Sequence, residues 1–117
     1  GEVLDLGGRR VRQVSTPHVP HGWEAQVLFE ETTSTLFCGD LFSHTGRPKP
    51  LTDNDVVGPA LDAERMFHAT TPGPLAPRTL RTLAELSPRR LAIMHGSSFE
   101  GDGARALRDL AGGYEAL

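Results

Sequence analysis

The chain has one cysteine, Cys38, among its 117 residues. No internal disulfide can form, so the fold does not demand an oxidising compartment, and a cytoplasmic location is expected. No apolar run is long enough to span a bilayer, and Gly1-Glu2-Val3-Leu4-Asp5 lacks both the charged start and the apolar core of a signal peptide. No membrane association is therefore expected. Basic residues are outnumbered by acidic ones, 12 to 15, and are scattered apart from Arg9-Arg10 and Arg89-Arg90. Without the basic stripe of a nucleic-acid binder, no nucleic-acid partner is expected. There is also no Gly-x-Ser-x-Gly elbow to make a nucleophile of Ser97 or Ser98, and no internal repeat or low-complexity segment.

What is present suits one small globular domain spanning residues 1–117: 38% hydrophobic residues, 23% charged residues and a net charge of -3. The chain opens on Gly1 rather than Met, which suggests a processed or truncated piece.

Val3 to Leu6 and Arg10 to Val14 read as two strands of a hairpin joined through Gly7-Gly8-Arg9. Ala25 to Phe29 and Thr35 to Cys38 form a second strand pair, rich in β-branched and aromatic residues around a Glu-Glu-Thr-Thr-Ser turn. Thr45 to Leu51 reads as an exposed loop. A helix is predicted from an entrance at Thr52-Asp53-Asn54-Asp55 to about His68. A second helix starts near Pro77 and buries Leu80, Leu83, Ala84 and Leu86 before Ser87-Pro88 stops it. Leu91 to Met94 is short, wholly apolar and bounded by charge and glycine, which fits a buried parallel strand. The last helix starts near Asp102 and aligns Ala106, Leu107, Leu110, Ala111 and Tyr114, with Gly112-Gly113 expected to fray it.

Chemistry concentrates where these elements end. Ser15-Thr16-Pro17-His18-Val19-Pro20-His21-Gly22-Trp23 follows one strand, Gly39-Asp40 follows another, and His95-Gly96 follows a third. Imidazole nitrogen and carboxylate oxygen are the usual ligands of catalytic zinc and non-haem iron, and a carboxylate has two oxygens with which to bridge two metals. Loops at strand ends are where such ligands are presented. Each run also has a plainer reading: a surface histidine in a proline-rich turn, an Asp-Gly turn, or an anion-binding or capping loop at His95-Gly96-Ser97-Ser98. Cys38 lies on an apolar strand, where a buried inert thiol is expected. Trp23 either covers a metal pocket or packs between layers.

Taken in order, these runs resemble the metallo-β-lactamase superfamily, in which a Thr-Pro-x-His-type turn, a strand pair ending in Gly-Asp and a late His-Gly each supply a metal ligand. The resemblance is closest to the oxygen-binding di-iron domain of flavodiiron-type proteins. Trp23 after His21 and His44 four residues after Asp40 fit that branch. The resemblance implies His21, Asp40 and His95 as metal residues, with Asp40 bridging. His18 is the alternative to His21, and His44 an outer group that bonds a ligand or lines the pocket. It assigns no catalytic residue.

The family's His-x-His-x-Asp-His signature, or its His-x-Glu-x-Asp-His variant, is absent. The resemblance therefore implies an α/β fold equivalent to the C-terminal half of an αββα sandwich, with a mixed sheet of about five strands and about three helices on one face. In the complete domain it implies two divalent metal ions, iron or zinc, serving either di-iron oxygen binding or metal-dependent hydrolysis of a small-molecule substrate. For this chain alone the resemblance leaves open that it holds none. The alternative is a non-catalytic half domain acting as an assembly or binding module. An apolar sheet face without a cover is expected to pair with a second copy or with the missing N-terminal half.

Overall fold

The computed structural model describes residues 2–17, 19, 25–45, 49–68 and 73–117. His18, His21 and Trp23 lie outside the described residues.

Alternating and short apolar runs become strands β1 (Val3–Asp5), β2 (Arg10–Ser15), β3 (Gln26–Glu30) and β4 (Thr35–Gly39). They are followed by β5 (Leu51–Thr52), helices α1 (Val57–Phe67) and α2 (Leu75–Ala84), β6 (Arg90–Ile93), β7 (Ser98–Glu100) and α3 (Gly103–Glu115). Among the described residues the strands form one sheet in the order β1-β2-β3-β4-β6-β7-β5. β4 pairs with β6, and β5 with β7, in parallel; the other neighbours are antiparallel. The expected mixed α/β architecture with three helices is observed. The strand count is higher than the five expected, because β5 has two residues and β7 three, too few to show a period.

The first hairpin closes through Gly7 and Gly8, whose φ of 71° and 97° match the positive values a tight right-twisted hairpin turn needs. The β3–β4 turn is organised by Glu30. Its carboxylate accepts hydrogen bonds from the Thr32 and Thr33 amides at 3.0 and 2.9 Å and from the Thr33 hydroxyl. These bonds, the Thr33 hydroxyl foremost, lower the Glu30 pKa from 4.5 to about 2.

Alternation sorts the sheet into two faces. Phe29, Leu36 and Leu91 stand side by side in register and are buried under the helices. There they meet Leu80, Leu83 and Ala84 of α2 and Leu107, Leu110 and Ala111 of α3 in one core. The alternate row, Leu28 and Phe37, faces out at 45% and 48% exposure, and Leu4 and Met94 extend the uncovered apolar surface.

The first helix follows its expected entrance, and the ends of the other two differ from the sequence reading. α1 starts at Val57, after β5 has claimed Thr52, and Asp55 just before it accepts from the Val57 and Gly58 amides. α2 begins at Leu75 and ends at Ala84, so Leu86 packs against the core from beyond its end. α3 does not fray at Gly112-Gly113 but runs to Glu115. Gly113 has a packing reason: a Cβ there would lie 2.4 Å from Leu61 of α1. Among the described residues no helix is long and apolar enough to cross a membrane.

Candidate metal centre

Strand direction brings the chemistry to one edge. β2 and β4 both run antiparallel to β3, and β6 runs parallel to β4, so β2, β4 and β6 all finish at the same end of the sheet. Beyond β2 the chain enters the segment that carries His18 and His21 at Thr16 and leaves it at Ala25. The Thr16 amide donates a hydrogen bond to the Ala25 carbonyl at 2.9 Å. Thr16 and Val19 are both buried, and the Thr16 hydroxyl donates to the Val19 carbonyl.

Beyond β4 the backbone turns sharply. Gly39 and Phe42 take φ of 58° and 62°, and the buried Leu41 and Phe42 anchor the turn in the core. The Ser43 hydroxyl donates to the Asp40 carbonyl at 2.7 Å, which fixes the segment that presents Asp40. Beyond β6, His95 leaves the sheet next door, because Gly39 stands opposite Ile93 in the parallel ladder. The outcome is that Asp40 Oδ1 and His95 Nε2 lie 3.3 Å apart, with their side chains 38% and 63% exposed. A carboxylate and an imidazole thus converge at a strand-end surface open to solvent.

His44 sits behind this pair. Its amide donates to the His95 carbonyl at 2.8 Å, its Nδ1 lies 2.8 Å from the Phe42 carbonyl, and its Nε2 accepts from the Ser97 amide at 2.9 Å. The ring is therefore engaged with backbone groups rather than with a ligand side chain. It also borders a cleft of about 310 Å³ lined by Thr52, Asp55, Val56, Pro59 and Ser97. The roles of Gly96 and Ser97 in holding that ring were not foreseen; the one sequence signal was a glycine directly after His95. Ser98, weighed as a nucleophile, instead accepts from the Ile93 amide through its hydroxyl at 3.1 Å. Cys38 is buried as expected, and burial pushes its thiol up to about 12.

Asp40 and His95 are of the donor types that iron and zinc take, and they already face each other within reach of one ion. Among the described residues no group of three His, Cys, Asp or Glu side chains is gathered that could hold a metal. The pair fits part of a metal centre and needs further donors to complete one.

No family model and no curated protein matches the sequence. Solved structures do. The chain is similar to the chemotaxis sensor ODP in its peroxy di-iron form, at 15% identity and a TM-score of 0.77, over 95% of this chain and 48% of the sensor. It is similar to the rubredoxin oxygen:oxidoreductase of the anaerobe Desulfovibrio gigas, at 21% identity and a TM-score of 0.76, over 98% of this chain and 30% of the oxidoreductase. It is also similar to a flavo di-iron protein from Thermotoga maritima, at 22% identity and a TM-score of 0.74, over 95% of this chain and 28% of that protein. The chain thus spans less than half the length of each. With nearly all of this chain superposing on part of each neighbour, its architecture is one half of the metallo-β-lactamase-type fold found in the flavodiiron proteins and the sensor ODP.

Proposed function

We propose that this chain supplies the second-half ligands of a two-metal, di-iron-type centre, and that the centre is completed by a companion half packed on the uncovered face of the sheet. The observation that carries this reading is the meeting of Asp40 and His95 at 3.3 Å, at the end of the sheet where β2 also finishes. Support for iron over zinc comes from the neighbours, whose names include a peroxy di-iron species and flavo di-iron proteins.

In the complete centre His21 and His95 would help hold the metals through imidazole nitrogens, and Asp40 through its carboxylate. Bound metals would supply Lewis acidity or electrons for dioxygen, or for a water in a hydrolytic variant. This chain's own task is orientation. Asp40 is carried on a turn tied down by Ser43, and His95 on a strand end beside it, so neither donor depends on a long free loop. Leu28, Phe37, Leu4 and Met94 give the companion an apolar surface to cover.

A second reading, a non-catalytic half domain used for assembly, is favoured by the two-donor count among the described residues. Elemental analysis separates the two, on protein purified without chelator or added metal and compared with Asp40→Ala. Near-stoichiometric iron that disappears in Asp40→Ala is the expected result where a second copy of the chain covers the open face and completes the donor set. An absence of metal in both forms overturns the metal reading for this chain and leaves the assembly module.

A further inference from the structure

The His44 imidazole has both nitrogens engaged, and the partners dictate which carries hydrogen. The Phe42 carbonyl can only accept, so Nδ1 bears the proton; the Ser97 amide can only donate, so Nε2 offers its lone pair. No ring nitrogen remains for a metal. Together with the bond from the His44 amide to the His95 carbonyl, the residue grips the other loop on both sides of Gly96, across a sequence separation of 53 residues at the ring contact.

Gly96 is shaped for this grip. Its φ of 133° is one that L side chains rarely adopt, and a Cβ there would lie 2.3 to 2.6 Å from three atoms of the His44 ring. On the other loop, Asp40 is tied to the same turn by the Ser43 hydroxyl. A continuous line of contacts therefore runs from Asp40 through Ser43 to His44, and on to His95 and Ser97.

We propose that His44 is a positioning residue and not a metal ligand: its neutral Nδ1–H ring clasps the His95 loop to the Asp40 loop and sets the separation of their side chains, with Gly96 as its required partner. The proposal rests on the reading of Asp40 and His95 as metal donors. Groups that orient metal ligands typically change metal affinity about 10–100-fold when removed.

The first test needs no metal. Long-range proton–nitrogen correlation spectra of the full chain should show His44 with a protonated Nδ1 and a bare Nε2. The Ser97 amide should exchange slowly, and faster in His44→Ala, while amides of α2 and α3 are unchanged. A protonated Nε2, or Ser97 exchange equally fast with and without His44, overturns the clasp.

The second test titrates the same chain with cobalt(II) and follows its visible absorption. His44→Ala should weaken binding about 10–100-fold. His44→Gln, whose amide oxygen reaches as far as Nε2 and can accept from Ser97, should recover more than His44→Asn, which reaches only toward Phe42. Gly96→Ala should weaken binding strongly in the native background and less in His44→Ala, because the ring it collides with is gone. Unchanged cobalt affinity in His44→Ala overturns the positioning role. If the native chain takes up no cobalt, the reading of Asp40 and His95 as donors in this chain alone fails, while the ring and exchange measurements still decide the clasp.

Discussion

The two faces of the sheet are made from the same strands yet obey different rules. On one face Leu36 and Leu91 are wholly buried beneath α2 and α3; one residue along β4, Phe37 stands 48% exposed with Leu28 beside it in register. Apolar side chains on both faces are what a strand buried on both sides requires, and among the described residues only one face is covered. The difference teaches that, among the described residues, the core is held between the sheet and its helical layer, while the other face presents apolar side chains to solvent.

Truncation on each face should break this symmetry most visibly. Leu36→Ala removes a fully buried side chain and should cost about 2–5 kcal/mol in chemical denaturation. Phe37→Ser next to it should stay within about 0.5 kcal/mol in the isolated chain. Phe37→Asp should leave the fold intact but abolish pairing of the open face, read by light scattering as loss of a dimer or of a companion-half complex. A large loss of stability from Phe37→Ser would show that the face is already covered within this chain.

Much of this was legible in the residues. The alternation in β3 and β4 and the apolar run of β6 announced their strands because period and composition agree there. Asp40 and His95 were legible as candidates because Asp40 directly follows β4 and His95 comes two residues after β6. β5 and β7 were not, since two or three residues beside proline or serine carry no period and pair only because the fold brings them together. His44 was visible as a candidate, but its partners are backbone groups of Phe42 and Ser97, which no side-chain pattern reveals. His18 and His21 lie outside the described residues, so the choice between them rests where the resemblance left it.

The glycine pair in α3 sharpens the account of the covered face. Gly112 and Gly113 both sit inside the helix, where glycine is unfavourable by roughly 0.5–1 kcal/mol relative to alanine. A Cβ at Gly112 would meet open space, whereas one at Gly113 would press on Leu61, the residue through which α1 closes on α3. Gly113→Ala should therefore destabilise by about 1–3 kcal/mol through overpacking. Gly112→Ala should stabilise by up to about 1 kcal/mol. Thermal unfolding of the two variants should move in opposite directions; a shared direction would mean that Leu61 yields or that the helix end is loose.

Glu30 tests whether the open face holds any order of its own. Its side chain belongs to the same face as Leu28, yet the residue is only 7% exposed, because its own β3–β4 turn folds over it. The Thr33 hydroxyl and amide, then the Thr32 amide, hold the carboxylate near 2 rather than 4.5 against the opposing effect of burial. The folded state thus keeps Glu30 ionised at a pH where the unfolded chain has already taken up the proton. Its contribution to stability is complete above about 4.5 and is lost as pH falls through about 2. Urea midpoints measured against pH should show this descent in the native chain and a flatter profile in Glu30→Gln, with the two curves converging at the acid end. Thr33→Val, which removes the strongest of the bonds to the carboxylate, should flatten the profile in part. If Glu30→Gln leaves the acid limb unchanged, the turn does not hold the carboxylate, and the open face has no ordered polar cluster at the end of the sheet opposite Asp40 and His95.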